Sequence, residues 1–437
     1  MAQPFTTAAP EHSMAMTLAE KIIARAAGRD HVTPGEIVIC RVDLAMIHDS
    51  GGPRRVQPIL ERLGVGVWDP AKVVLIADHY VPAFDTETRE IGALTRRFAA
   101  SHRLGGFYDG EGICHVVLPE RGHLLPGMLA VGGDSHSPTG GAFGAYMFGI
   151  GATEMAGVLA TGEIWLRVPQ TIRLDWSGRF PRGVTAKDVM LFLCGRLGMD
   201  GGRYQAVEYT GSAIIALPMQ ERMTLSNMTA ELGGQAGLVA PDETTLAYLR
   251  AAGVAAAESA PWHGDPDAAA ERHEFSADTL EPQVAAPHSP ANAAPVGSYA
   301  PTRIEVAYIG ACTGAKLADL RMAAAVLKGR RAASGVRLLV APASRRDQQV
   351  AAAEGTLAIL EQAGASLLPN ACGICAGYGD ALLGEEVVCI SSTARNFKGR
   401  MGAASSRVYL ASPYTVAASA VAGRIVDPRE MLDREAA

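Results

Sequence analysis

Cys372 and Cys375 are separated by two residues, so one tight turn presents both thiols together. Cys312 lies sixty positions earlier, after one apolar run and before another. Three thiolates with neither a fourth Cys nor a His close by in sequence suit a cubane iron–sulfur cluster with one open corner. An iron without a protein thiolate is free to bind substrate. Two readings compete: a structural zinc site, which normally closes with four ligands, and a redox pair that leaves Cys312 unused. Burial of all three as inert core residues is a third.

Asp78-His79 and Asp134-Ser135-His136 each set a carboxylate beside an imidazole. A carboxylate fixes the imidazole tautomer and raises its basicity, which suits proton delivery to a leaving hydroxyl. The competing reading is that Asp and His are ordinary loop neighbours, and His48 and His115 taken singly read as ordinary polar residues. Arg395 and Arg400 share one loop, RNFKGR. Guanidinium groups bind carboxylates bidentately; the alternative is a solvated basic loop. Two motifs fail. Gly149-Ile150-Gly151 is followed by Glu154 where a dinucleotide fingerprint needs Gly, and no phosphate loop is present.

These residues need elements to hold them. VVLIA runs into Asp78, MLAVGG into Asp134, EVAYIGA into Cys312, SLLPNA into Cys372, and EVVCISS leads to Arg395. Ligand crevices in open α/β sheets lie beyond the carboxyl ends of strands, so five strand ends are expected at one cleft. From Ile304 onward strand-like and helix-like runs alternate, which predicts a parallel α/β sheet. Thr17-Leu18-Ala19-Glu20 is a capping box that opens a helix, and Gly28 is its expected stop. Residues 1–16 read as a loose tail rather than a secretory signal. Residues 261–301, rich in Ala, Pro and His, read as a long connector. No fixed-period repeat is visible.

A length of 437 residues predicts two or three domains. The composition is globular, with 48% hydrophobic and 19% charged residues. The net charge of −6 and the absence of a Lys/Arg block argue against a nucleic-acid surface. No apolar run reaches the roughly eighteen residues that a membrane helix needs. Seven cysteines, an odd number without an export signal, argue against a disulfide framework and for a reducing cytoplasm.

Taken in order, the motifs resemble the aconitase superfamily, and most of all the large subunits of the two-subunit 3-isopropylmalate dehydratase and homoaconitase group. The resemblance runs from about Thr17 to Pro428. It rests on MTLAEKIIARAAG, on Asp43 to Asp49, on Asp78-His79, and on His115 in an expected strand before a proline-glycine turn. It continues through Asp134-Ser-His-Ser-Pro-Thr-Gly-Gly141, Asn227-Met-Thr-Ala-Glu231-Leu-Gly233, Gly310-Ala-Cys312-Thr313, Cys372-x-x-Cys375, and Arg395 to Arg400.

The resemblance implies three α/β domains, near residues 14–168, 169–300 and 301–437, around a [4Fe–4S] cluster held by Cys312, Cys372 and Cys375. It implies reversible dehydration of a 2-hydroxy di- or tricarboxylic acid. In that reading His79, oriented by Asp78, protonates the departing hydroxyl. His115, Asp134, His136 and Glu231 organise the iron-bound water, and His48, Ser135, Arg395 and Arg400 contact substrate carboxylates. Single-chain relatives carry a further domain whose Gly-Ser-Ser-Arg serine removes the carbon-bound proton. Here that swivel domain and serine are expected on a separate small subunit. Ala404-Ser405-Ser406-Arg407 looks similar but lies in the wrong domain. Ala394 and Gly314 depart from the family pattern beside the cluster. They keep open a cluster-binding protein that has lost turnover and serves regulation. 3-Isopropylmalate is the default substrate, with dimethylmalate, homocitrate-like and citrate-like acids also open.

Overall fold

The computed structural model describes residues 15–255 and 262–432. Residues 1–14 of the expected tail lie outside them. Ordered structure opens as the capping box requires. Thr17 Oγ1 accepts from Glu20 N at 3.3 Å, and Glu20 Oε2 accepts from Thr17 N at 2.7 Å. The helix Leu18–Ala27 then stops at Gly28, whose φ of 66° is left-handed backbone that glycine adopts without a Cβ clash.

Three parallel sheets follow. In the first, the spatial order is Gly106–Asp109, Val73–Ala77, Leu44–His48, Leu129–Gly132, Tyr146–Gly149. Val73–Ala77 is buried at all five positions, as expected of a parallel strand covered on both faces. Each such Val, Leu or Ile contributes roughly 1.5–3 kcal/mol by leaving water. The second sheet aligns Ala236–Leu238, Ala206–Thr210, Thr171–Ser177 and Glu271–Ser276. The third sheet has a parallel core ordered Ala365–Leu367, Arg337–Val340, Val306–Ile309, Val388–Ser391, Arg407–Ala411.

The first sheet and the core of the third share one strand order. In each, the earliest strand is central, the next two extend to one side, and the last two extend to the other. Each therefore has a switch point where the chain reverses direction across the sheet, and crevices form at the carboxyl ends there. No repeat is visible in the sequence because the two units share topology, not residue pattern. One apolar core runs through both, from Met46 and Val74 to Ile309, Leu338 and Ile390.

Three expectations change. The stretch 261–301 is not a plain connector. Glu271–Ser276 joins the second sheet, and Gln283–Ala285 and Ala293–Pro295 pair antiparallel onto the edge of the third. Strands this short in Ala/Pro-rich sequence leave no alternation to read. One of the helix-like runs expected beyond Ile304 is two helices; Gly355, at φ 85°, separates Arg345–Ala353 from Thr356–Gln362. His115 lies on the helix Cys114–Glu120, not on a strand, with Val116 N and Val117 N both bonded to Ile113 O. Among the described residues no helix is long and apolar enough to cross a membrane.

Candidate active site

The first switch point supplies acids and imidazoles. Asp78 follows the strand Val73–Ala77 and is fully buried. Its Oδ1 accepts from His79 Nδ1 at 2.6 Å, and its Oδ2 accepts from Cys114 N at 2.7 Å. The Nδ1 proton is thereby fixed, and His79 Nε2 is left 4.0 Å from Asp134 Oδ2. Burial disfavours the His79 cation, but the charges of Asp78, Asp134 and Asp49 outweigh it and raise the imidazole to about 10. His48 stacks on His79 with ring centroids 4.4 Å apart. It donates from Nε2 to Gly133 O at 2.9 Å and accepts at Nδ1 from Ser50 Oγ at 3.1 Å. Burial, with His79 beside it, lowers its basicity.

Asp134 Oδ1 accepts from His115 Nε2 at 2.7 Å and from His136 N at 2.8 Å. Despite burial, His115 and His136 hold its carboxyl well below the usual range. His136 Nε2 donates to Glu231 Oε1 at 3.0 Å. Arg395 Nε reaches the same oxygen at 2.7 Å, and Arg395 Nη1 donates to Ser135 Oγ at 2.9 Å. Glu231 Oε2 is buried without a partner. Burial would raise the Glu231 carboxyl, but His136 and Arg395 hold it down and ionised.

The third sheet supplies thiols. Cys312 follows Val306–Ile309, and Cys372 follows Ala365–Leu367 and donates its N–H to Asp78 O at 2.9 Å. Cys375 closes the same turn, and its carbonyl accepts from Arg400 Nε at 2.8 Å. Cys312, Cys372, Cys375, Asp78, His79, His115, Asp134, Ser135, His136 and Arg400 line one cavity. Glu231 and Arg395 join it through His136 and Ser135, and His48 joins through His79. All thirteen candidate residues are thus brought to one place. Ser405 and Ser406 are not: Ser405 is paired with Glu385, and Ser406 Oγ donates to Ala403 O.

Several residues at the site escaped the sequence reading. Asp49 accepts backbone N–H bonds from Asp78, His79 and Tyr80, and so shapes the His79 loop. Asn227 Nδ2 donates to Cys312 Sγ at 3.2 Å, from the end of the second unit's helix Met219–Met228. Lys187 is buried and donates to Thr313 Oγ1, Ser392 O and Thr393 O at 3.3, 3.1 and 2.5 Å, tying together the two sides of the third sheet's switch point. Cys114 is a fourth cysteine on the cavity wall. Asp49 and Asn227 left a signal, each through its motif; Lys187 and Cys114 depend on long-range contacts.

The donor set fits an iron–sulfur cluster. Three thiols from loops of the third sheet meet in one cavity, and Asn227 offers Cys312 an N–H that stabilises thiolate, whereas Cys114 stands on the same wall from a helix beside the first sheet. The departures at Ala394 and Gly314 also have a place. Ala394 lines the cavity. A Cβ on Gly314 would lie 2.2 Å from Ser392 Cβ, so glycine admits the close approach of Ser392, whose Oγ accepts from Gly310 N at 2.9 Å.

The family model described as "Aconitase family (aconitate hydratase)" matches residues 20–303 and 298–423. The chain belongs to the aconitase family. It is a hydro-lyase by class, on the α/β scaffold described above. Within the family it is similar to "3-isopropylmalate dehydratase large subunit 1" of Methanopyrus kandleri, at 47% identity over 96% of this chain and 100% of that one. It is 41% identical to "3-isopropylmalate dehydratase large subunit" of Aquifex aeolicus over 97% and 99% of the two chains. It is also 44% identical to "Probable methanogen homoaconitase large subunit" of Methanosarcina mazei over 90% and 100%. Among solved structures, Thermococcus kodakaraensis aconitase X matches with TM-score 0.50 and 13% identity, covering 82% of this chain and 84% of that one, a likeness of fold.

Proposed function

We propose that the chain is the cluster-bearing large subunit of a two-subunit hydro-lyase acting on a 2-hydroxy di- or tricarboxylic acid, by default 3-isopropylmalate or a related alkylmalate. The observation that carries this is the single cavity where the thiols of one sheet meet the Asp78–His79 pair of another. Cys312, Cys372 and Cys375 would hold a [4Fe–4S] cluster. When bound, such a cluster supplies a Lewis-acidic iron for the oxygen that leaves.

The protein's own groups do the rest. His79, with Nδ1 tied to Asp78, presents Nε2 to the cavity and delivers the proton to the departing hydroxyl. His115, Asp134, His136 and Glu231 form one hydrogen-bonded chain that orients water beside it. Ser135, Arg395 and Arg400, with His48 behind His79, hold the substrate carboxylates. Among the described residues of the cavity, none matches the serine that removes the carbon-bound proton in single-chain relatives. That base is assigned to the serine of a small subunit, whose swivel domain closes the cleft and excludes water. The tight packing of Ser392 on Gly314 supports a working cluster loop rather than a decayed one. Three α/β domains, with 283–295 exchanged onto the third, and a reducing cytoplasm that keeps seven thiols free complete the reading.

The test is anaerobic reconstitution with iron and sulfide, followed by addition of a Gly-Ser-Ser-Arg-bearing small subunit. Absorbance of an unsaturated acid should appear only with both chains present. Turnover by the isolated chain would overturn the assignment of the base.

A further inference from the structure

Two buried ammonium groups flank the Cys312 loop. Lys187, on the helix Ala186–Leu197, gives its three hydrogen bonds to neutral oxygens: Thr313 Oγ1, Ser392 O and Thr393 O. Thr313 adjoins Cys312, and Thr393 adjoins Ala394 on the cavity wall. Lys316, just before the helix Leu317–Leu327, donates to Cys312 O and to Thr224 Oγ1, each at 3.0 Å. Its charge is matched by Asp319, with Nζ 2.7 Å from Oδ2. Lys187 forms no ion pair among the described residues. An ammonium taken out of water and bonded only to neutral oxygens is costly unless an anion stands nearby. Burial pushes Lys187 down to about 8, and the negative charges that oppose this are those of Glu231, Cys312 and Cys375. Glu231 is already balanced by His136 and Arg395. The thiolates are the anions left over.

We propose that Lys187 is the fixed counter-charge of the Cys312 and Cys375 thiolates, and that Lys187 and the Lys316–Asp319 pair together set the reduction potential of the cluster those thiolates hold. The inference rests on the cluster reading. The potential of an iron–sulfur cluster follows the charge and hydrogen bonding around it. Reduction adds a negative charge, so a buried cation nearby favours the reduced form and a buried carboxylate opposes it, with little screening by solvent. Lys187 acts on the thiolates through space; its hydrogen bonds to the Thr313 and Ser392 segments fix where its charge sits.

The experiment uses the anaerobically reconstituted chain with its small subunit, and the variants Lys187→Gln and Asp319→Asn. The first removes a positive charge and keeps a donor. The second removes a negative charge and keeps an oxygen to accept from Lys316 N and Nζ. The cluster is titrated with dithionite at pH 6.5 and followed by absorbance and electron paramagnetic resonance. One electron passes from dithionite to the cluster, and no Fe–S bond breaks. At that pH Lys187 is charged, and Glu221, pushed up to about 8 chiefly by burial, holds its proton. Lys187→Gln should lower the reduction equilibrium constant roughly tenfold, a shift of about −59 mV for one electron. Asp319→Asn should shift the potential in the positive direction. A loaded variant that fails to move in its stated direction overturns the proposal, because a merely structural role gives no opposite signs. So does loss of the cluster from Asp319→Asn, which gains net positive charge. If Lys187→Gln does not load, the sign of the Asp319→Asn shift decides alone. If the unmodified complex forms no cluster, the cluster reading falls and this proposal with it. A cluster whose potential ignores both substitutions sinks this proposal only.

Discussion

The first and third sheets carry the same strand order to the same cleft, yet their switch points carry different chemistry. Loops of the first sheet end in Asp78, His79, Asp134 and His136, each already paired with another protein group. Loops of the third end in thiols. Burial pushes Cys312 up to about 12, and the bond from Cys372 pulls Cys375 down to about 6. The acid–imidazole side is hydrogen-bonded within the protein except at His79 Nε2 and Glu231 Oε2, whereas buried thiolates need a cation to balance them. Damage to the two sides should therefore read out differently.

The largest effect is expected on the thiol side. Cys375→Ser should abolish both brown colour and activity, while Cys389→Ala, altering a strand-core thiol outside the cavity, should keep both. Absorbance after anaerobic reconstitution checks it. On the acid side, Asp78→Asn should keep the colour and lower kcat by roughly a hundredfold to ten-thousandfold. It leaves His79 without the charge that holds its proton, so steady-state rates beside cluster absorbance separate the two sheets. If Asp78→Asn bleaches the protein, the division between them fails.

Next in size is Lys187→Met. It leaves Thr313 and the Ser392 and Thr393 carbonyls without their shared donor, and should cost roughly 1–3 kcal/mol in urea unfolding. A pH-dependent effect on stability, away from the catalytic cavity, is expected at Glu221, whose carboxyl is pushed up to about 8 by burial and by Asp319. The folded chain then keeps a proton that the unfolded chain has lost. Wild-type stability therefore falls as pH rises from about 4.5 to 8. Glu221→Gln does not titrate, so its stability should gain on wild type across that window, by up to roughly 1 kcal/mol per pH unit. Thermal unfolding at pH 5 and pH 8 checks the sign, and an unchanged gap contradicts it.

How much was legible follows from where each residue sits. Strand ends that run into Asp78, Asp134, Cys312, Cys372 and Arg395 could be read because a buried parallel strand is a short apolar run with an abrupt polar stop. The first helix could be read from Thr17, Glu20 and Gly28. The helix under His115 could not, because seven residues with a Pro near the end carry too little periodicity. Gln283–Ala285 and Ala293–Pro295 are too short to show alternation. Lys187, Asp49 and Cys114 reach the site through contacts distant in sequence: Lys187 comes from the helix Ala186–Leu197, and Cys114 from a helix start that no spacing rule links to Cys312.

Cys114 also provides the most direct test of the central claim, that three thiols from the third sheet leave one iron corner open. Cys114→Ser, Cys312→Ser, Cys372→Ser and Cys375→Ser would be reconstituted side by side, with bound iron, bound sulfide and visible absorbance measured for each. Cys114→Ser should keep the cluster at the wild-type level, and each of the other three should lose it. A Cys114→Ser protein that bleaches like the others would make Cys114 a fourth ligand, close the open corner, and contradict the proposed chemistry.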